Sequence, residues 1–197
     1  MNYLAHLYLA SDKGNAKIGG LLGDFVKGIS KEKYSRDIQI EIQLHGLIDS
    51  YTDEHSITKS AKELVTERKK RYMGIILDVF YDHILASKWN EYSNVNFSEF
   101  TQDSYDLLQE NEALIPEKLG DFLPSMINED WLSLYKDFEG FENAIHRISR
   151  RLSKGNILRE CILDVEENYL LLSSCFDEFF PQLIDYVQKQ RAILSAQ

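Results

Sequence analysis

In the stretch LHGLIDSYTDEH (44–55), His45, Asp49 and Asp53 stand four residues apart, so on a helix they form one slanting row beside Leu44, Leu47, Ile48 and Tyr51. A second row of the same kind lies in MGIILDVFYDHILASKW (73–89), where Asp78 and Asp82 share the line of Leu85 and Trp89, and His83 follows Ile76 and Val79. Ile76, Val79, Phe80, Ile84, Leu85 and Trp89 cover most of that helix's circumference, which predicts a buried element. An ionised carboxylate removed from water without a partner costs several kcal/mol, so acids on such a helix call for a cation. His6 in YLAHLYLA and Asp24 in GGLLGDFVKG are likewise lone polar groups in apolar runs. Imidazole with carboxylate is ligand chemistry for Zn, Mn or Fe more than for Ca or Mg, and facing helices of a bundle can gather such ligands. Each residue also has an ordinary alternative. His6 can be a hydrogen-bonded core residue, Asp24 can cap a turn or pair with Lys27, Asp53 can be solvated near a helix end, and Asp78 can pair with an arginine. A shared site accounts for all of them at once.

Long uninterrupted helices suit a chain with only 3 Pro and 10 Gly, and 3.6-residue periodicity recurs while strand signals are weak. The pattern predicts helices over about 2–11, 19–28, 36–53, 56–70, 73–91, 97–111, 117–126, 129–136 and 138–153. Gly155-Asn156 reads as a stop, and a last helical region runs over about 157–195 with Pro181 opening its final segment. With 197 residues, 44% of them hydrophobic, the expected fold is an all-α single-domain helical bundle over 1–197. The excess of 32 acidic over 22 basic residues argues against nucleic acid and anionic membranes as partners. No run reaches the length of a membrane span, and Cys161 and Cys175 read as free thiols of a cytoplasmic protein. A phosphate loop ending in Lys-Ser/Thr, paired metal-binding cysteines and a nucleophile-elbow serine are all missing.

MNYLAHLYLA, GGLLGDFVKG, LHGLIDSYTD and LDVFYDHILASKW resemble, in order and spacing, the motifs of the acyl carrier protein phosphodiesterases. The likeness continues more loosely through HRISRRLSK and FDEFFPQL. That family resembles a divergent branch of the HD-type helical metal hydrolases, so the likeness implies an HD-like architecture. It also implies a Mn2+-dependent enzyme that removes 4′-phosphopantetheine from holo-acyl carrier protein in the cytoplasm. Metal-activated water would attack phosphorus in line and release apo-carrier. On this reading Asp24, His45, Asp49 and Asp82 are the leading metal ligands, with His6 and His83 as ligands or their supports. Asp24, His45, Asp78 and Asp82 form the catalytic set, Asp78 orienting a histidine or accepting a proton.

The chain departs from the family pattern where His45 is followed by Gly46 and Leu47 instead of an arginine that would anchor phosphate, and Lys27 is one substitute. Gly20 stands where the family form has Asn. An acidic carrier needs a basic surface, and Arg147, Arg150, Arg151 and Lys154 at i, i+3, i+4 and i+7 predict one helix face for it. Two other readings stay open: a helical phosphohydrolase with a small-molecule substrate, and a carrier-binding protein without turnover.

Overall fold

In the computed structural model, which describes every residue except Lys27 and Ile29, the described residues form helices and no strand. They are α1 (Tyr3–Leu9), α2 (Lys17–Leu22), α3 (Arg36–Glu54), α4 (Ser56–Lys62), α5 (Glu67–Ser87), α6 (Trp89–Tyr92) and α7 (Phe97–Glu110). After these come α8 (Glu117–Gly120), α9 (Leu123–Asn128), α10 (Trp131–Leu134), α11 (Phe138–Ser149), α12 (Gly155–Glu167) and α13 (Tyr169–Ser195). The all-α class expected from periodicity is the one observed. Among the described residues no helix is long and apolar enough to cross a membrane.

Helix α5 runs through the core. Met73, Ile76, Leu77, Val79, Phe80, Tyr81, Ile84 and Leu85 are all buried, and α1, α11 and α12 pack around it. Helix α3 packs between α2 and α13. Its start is set by Ser35, whose hydroxyl accepts the Ile38 N–H, with Asp37 in the first turn to complement the helix dipole. It stops at His55, which is extended at φ −65°, ψ 138° and whose Nδ1 accepts the Ile57 N–H at 3.3 Å to start α4. The buried Glu41 of α3 takes the guanidinium of Arg191 in a two-pronged pair at 2.7 and 3.0 Å, fixing α13 against α3.

Several helix ends differ from expectation. The helix expected over 56–70 is divided, α4 ending at Lys62 and α5 starting at Glu67. Gly155 opens α12 instead of stopping a helix, since a Cβ there would come within 1.9 Å of the Ser149 carbonyl oxygen. The 157–195 region breaks at Asn168, whose side chain donates to the Asp164 carbonyl at 2.8 Å, while Pro181 sits inside an uninterrupted α13. Helix α11 ends at Ser149, so Arg147, Arg150, Arg151 and Lys154 do not share one helix face as predicted: Arg150 caps the helix, Arg151 is in a turn, and Lys154 precedes α12. Cys161 and Cys175 are free, the first buried and the second partly so.

Candidate metal centre

Helices α1, α2 and α3 meet over a set of glycines. A Cβ on Gly19 would lie 2.4 Å from the Ile38 carbonyl oxygen of α3, and one on Gly20 would lie 2.8 Å from the His6 carbonyl oxygen of α1. Gly23, just past α2, would put a Cβ 2.2 Å from Cγ of His45. The three glycines thus let α2 press against both neighbours, and the space left beside Gly23 is filled by an imidazole.

That imidazole is fixed at one nitrogen. His45 Nδ1 donates to the Gly20 carbonyl at 2.7 Å, which turns Nε2 toward two carboxylates. Asp49 Oδ2 lies 3.3 Å from Nε2, and Asp24 Oδ1 lies 3.5 Å from it. His6 stacks on His45 with ring centroids 3.7 Å apart and planes 13° apart, and its Nε2 is 3.1 Å from Asp49 Oδ1. Asp49 therefore spans both rings. The imidazoles are buried, whereas Asp49 is 40% and Asp24 51% exposed, so the cluster is closed behind and reachable in front.

His6, His45 and Asp49 offer ligand atoms within 4.8 Å of one another, the one such group among the described residues. His45 Nε2 and His6 Nδ1 are buried without a well-aligned hydrogen bond. Two ligands each about 2.1 Å from one ion, at angles between octahedral and tetrahedral, stand about 3.0–3.4 Å apart. The separations of 3.1 Å to Asp49 Oδ1 and 3.3 Å to Asp49 Oδ2 lie in that interval, each imidazole meeting a different oxygen of the carboxylate. The donor set of two imidazoles and one or two carboxylates fits a transition metal or zinc.

Electrostatics agree with a seat for positive charge. Burial would lower the pKa of His45, but hydrogen bonding to Asp24 and Asp49 outweighs it and holds the imidazole up at about 9. Burial and the neighbouring His45 press His6 down to about 4, keeping it neutral and able to ligate. Burial would raise the carboxyl of Asp49, but hydrogen bonds from His45 and His6 hold it far below the usual range. Asp24 is lowered chiefly by its hydrogen bond with His45.

The acids of α5 serve other partners. Asp78 Oδ1 accepts from the Met1 ammonium at 2.7 Å, and that ammonium also lies 3.5 Å from Asp49 Oδ1. Burial would lower the ammonium's pKa, yet Asp78 and Asp49 together hold it at about 10. Asp78 is thus one charge removed from the cluster. Asp82 is fully buried and corrects the expectation of a ligand: its two oxygens take the N–H groups of Leu4 at 2.7 Å, Ala5 at 3.1 Å and Asn2 at 3.3 Å. These are orphan donors at the start of α1, a helix with no side-chain cap of its own. Burial raises the Asp82 carboxyl to about 7 despite those three donors.

His83 is a second correction. Its Nδ1 bonds the Tyr135 carbonyl at 2.7 Å and its Nε2 the Tyr169 hydroxyl at 2.9 Å, so both nitrogens are engaged away from the His6–His45 pair. Asp53 pairs with Lys62 at 2.8 Å on the surface, the solvated alternative. Lys27 lies outside the described residues. Sequence reasoning missed Gly23 and the Gly20 carbonyl as supports of His45. The i, i+4 spacing of Gly19 and Gly23, which turns both toward α3, was the signal for that close approach.

The sequence model of the family described as "Acyl carrier protein phosphodiesterase" matches residues 1–183. Among curated proteins, the acyl carrier protein phosphodiesterase of Pectobacterium atrosepticum is 29% identical over 192 residues, covering 97% of this chain and 100% of that protein. The protein of the same name from Photorhabdus laumondii is 26% identical over 191 residues, 96% of each chain. One from Salmonella paratyphi A is 30% identical over 191 residues, covering 93% of this chain and 96% of its own. No solved structure matches the chain.

Proposed function

The chain belongs to the acyl carrier protein phosphodiesterase family, and from that premise we propose that it hydrolyses the phosphodiester of holo-acyl carrier protein, releasing 4′-phosphopantetheine and apo-carrier. The observation that carries the metal-dependent form of this reading is the His6–His45–Asp49 cluster with its outward carboxylates. His6, His45 and Asp49 would hold a divalent cation, Mn2+ in this proposal, with Asp24 at the open side. When bound, such an ion neutralises the non-bridging phosphate oxygens and lowers the pKa of a water.

The chain's own residues do the rest. The Gly20 carbonyl holds the His45 ring in the tautomer that presents Nε2. Asp78 keeps the Met1 ammonium against Asp49, which offsets negative charge crowded into the site. Asp82 fixes the start of α1 and so positions His6 two and one residues beyond the N–H groups it binds. Asp24, ionised and exposed, takes the proton as the water oxygen bonds to phosphorus. The bond from phosphorus to the carrier serine breaks, and the serine oxygen leaves with that proton. Arg150 and Lys154, both exposed, meet the acidic carrier, and the enzyme works in the cytoplasm. An HD-type ancestry is part of the same proposal.

A second reading, a helical phosphohydrolase acting on a small molecule, is favoured by one observation: Gly46 stands beside His45 where the family pattern has arginine. Incubation with Mn2+ and holo-carrier, followed by mass spectrometry of the carrier, tests both. Loss of the phosphopantetheine mass is expected. An intact holo-carrier after full metal loading overturns the phosphodiesterase reading.

A further inference from the structure

A cleft of about 650 Å³ opens between α9–α10 and the end of α11, its walls including Phe122, Trp131, Leu134, Arg147, Arg150 and Arg151. Two of its guanidinium groups are mounted on aromatic rings. Arg147 Cζ lies 4.3 Å from the centre of the Trp131 ring, and Arg151 Cζ lies 5.7 Å from that of Phe122. The two rings are nearly parallel at 8°, so both arginines stand on one rigid aromatic base. That base extends to residues that neighbour cluster members in sequence. Phe122 contacts Tyr3 at 6.1 Å and Phe25 at 5.4 Å between ring centres, and these residues adjoin the starts of α1 and of the Asp24 turn. A narrower recess lined by Asn2, Tyr3, Trp131, Arg147 and Arg151 lies beside the cleft, at the start of α1.

These arginines lack anions. Elsewhere in this acidic chain the partly buried cations are matched: Lys69 with Asp164, Lys88 with Asp177, Arg191 with Glu41. Among the described residues neither Arg147 nor Arg151 has a carboxylate or hydrogen-bond partner. The one carboxylate lining the cleft, Glu129, accepts the Trp131 indole N–H at 2.9 Å. Half-burial of Arg147 lowers its pKa, and the field of nearby Glu129 offsets that only in part. A chain with 32 acidic residues that leaves arginines unpaired in a concave site has a place for an anion from outside.

We propose that this cleft binds a phosphate monoester on a slender neutral chain, the released 4′-phosphopantetheine, with Arg147 and Arg151 holding its phosphate. The identity of the ligand rests on the proposed phosphodiesterase reading. Hydrolysis turns a singly charged diester into a doubly charged monoester, which suits two forked guanidinium groups better than its precursor does. The cleft volume is of the size that encloses a small ligand, roughly 300–1,000 Å³, and its apolar wall would take the chain. The consequence is product inhibition seated at the arginines and distinct from binding at the metal.

The test measures binding by calorimetry and thermal shift, with inorganic phosphate, 4′-phosphopantetheine and apo-carrier, on wild type, Arg147→Gln, Arg151→Gln and the charge-matched control Arg159→Gln. Loss of one charge-assisted contact, about 1.4 kcal/mol or tenfold, is expected for each cleft variant and none for the control. Melting curves without ligand identify any variant that fails to fold, and Arg147→Lys then takes its place, with weaker binding still expected because a lysine lacks the fork. Unchanged phosphate affinity in both cleft variants overturns the proposal, since the anion would then sit at the metal cluster. So does a selective loss of apo-carrier binding, which would make the cleft a seat for carrier carboxylates. If monoester binding depends on the arginines while holo-carrier is not turned over, the cleft stands and the phosphodiesterase reading falls.

Discussion

Gly23→Ala is the substitution that most directly probes whether the position of His45 makes the site. The Gly23 backbone is helical, at φ −50° and ψ −38°, so alanine brings no backbone strain and acts only through its Cβ. That atom would sit 2.2, 2.4 and 2.5 Å from Cγ, Cδ2 and Cβ of His45. Ordinary contact needs roughly 3.4–4.0 Å, so the ring must retreat by about 1 Å or more. The hydrogen bond from Nδ1 to the Gly20 carbonyl, 2.7 Å long, does not survive such a shift. Losing an orienting partner of this kind weakens metal affinity about 10- to 100-fold, and misplacement by about 1 Å lowers turnover about 100-fold. Overpacking costs about 1–3 kcal/mol, a fall of roughly 2–12 °C in melting temperature for a domain of this size. Gly46→Ala is the control: nothing lies within 4 Å of its Cβ. Removing an exposed mid-helix glycine should stabilise by about 0.5–1 kcal/mol with metal binding intact. Metal titration, turnover and melting curves on the two variants decide it. A folded Gly23→Ala protein with wild-type metal affinity and turnover refutes the claim that this glycine seats the imidazole.

Three further outcomes are expected. Gly46→Arg points into open space and should raise stability about as much as Gly46→Ala while lowering KM for holo-carrier; an unchanged KM removes phosphate anchoring from that position. Asp82→Ala strands three N–H groups at the start of α1, two of them in the core, and should cost about 3–5 kcal/mol in chemical denaturation, where a loss under 1 kcal/mol would mean that other groups cap α1. Burial lowers the pKa of His83, so below the unfolded value of 6.5 the unfolded chain binds the extra proton. His83 therefore contributes stability above that pH, lost as pH falls, with a slope of at most about 1.4 kcal/mol per pH unit. Urea titrations between about pH 5 and 7.5 should show a shallower slope in His83→Gln, and an equal slope would assign the acid sensitivity elsewhere.

Helix type was legible because it depends on local periodicity, and α3 and α7 start where Ser35 and Asn96 supply side-chain caps. Ends determined by distant contacts were not. Gly155 reads as a stop on propensity alone, yet the approach of Ser149 makes it the start of α12. Pro181 reads as an opening residue, yet the packing of Phe179, Phe180 and Leu183 into the core carries α13 through it. The arginine row failed for the same reason, since continuing α11 by one turn would have kept a face that the turn at 150–154 breaks.

The site was legible to the extent that burial of a charge was a sufficient signal, and it misled where one signal had several causes. His45 and Asp49 on α3, with His6 on α1, converge because their row faces α1 and α2. Asp78 and Asp82 carry the same sequence mark, acids in an apolar helix, but one answers an ammonium and the other three backbone N–H groups. Demand for positive charge is therefore not demand for a metal: helix starts and amines satisfy it equally well. On the proposed reading what separates the two is geometry, a ring pinned by a carbonyl behind it with Nε2 turned toward two carboxylates in front. His45 has that geometry. Asp82 secures the helix that carries His6 and so supports the cluster without joining it, and on the proposed reading substitution at either residue lowers activity. Stability separates them, because loss of Asp82 unfolds the start of α1 whereas loss of the His45 imidazole empties the cluster and leaves the helices in place.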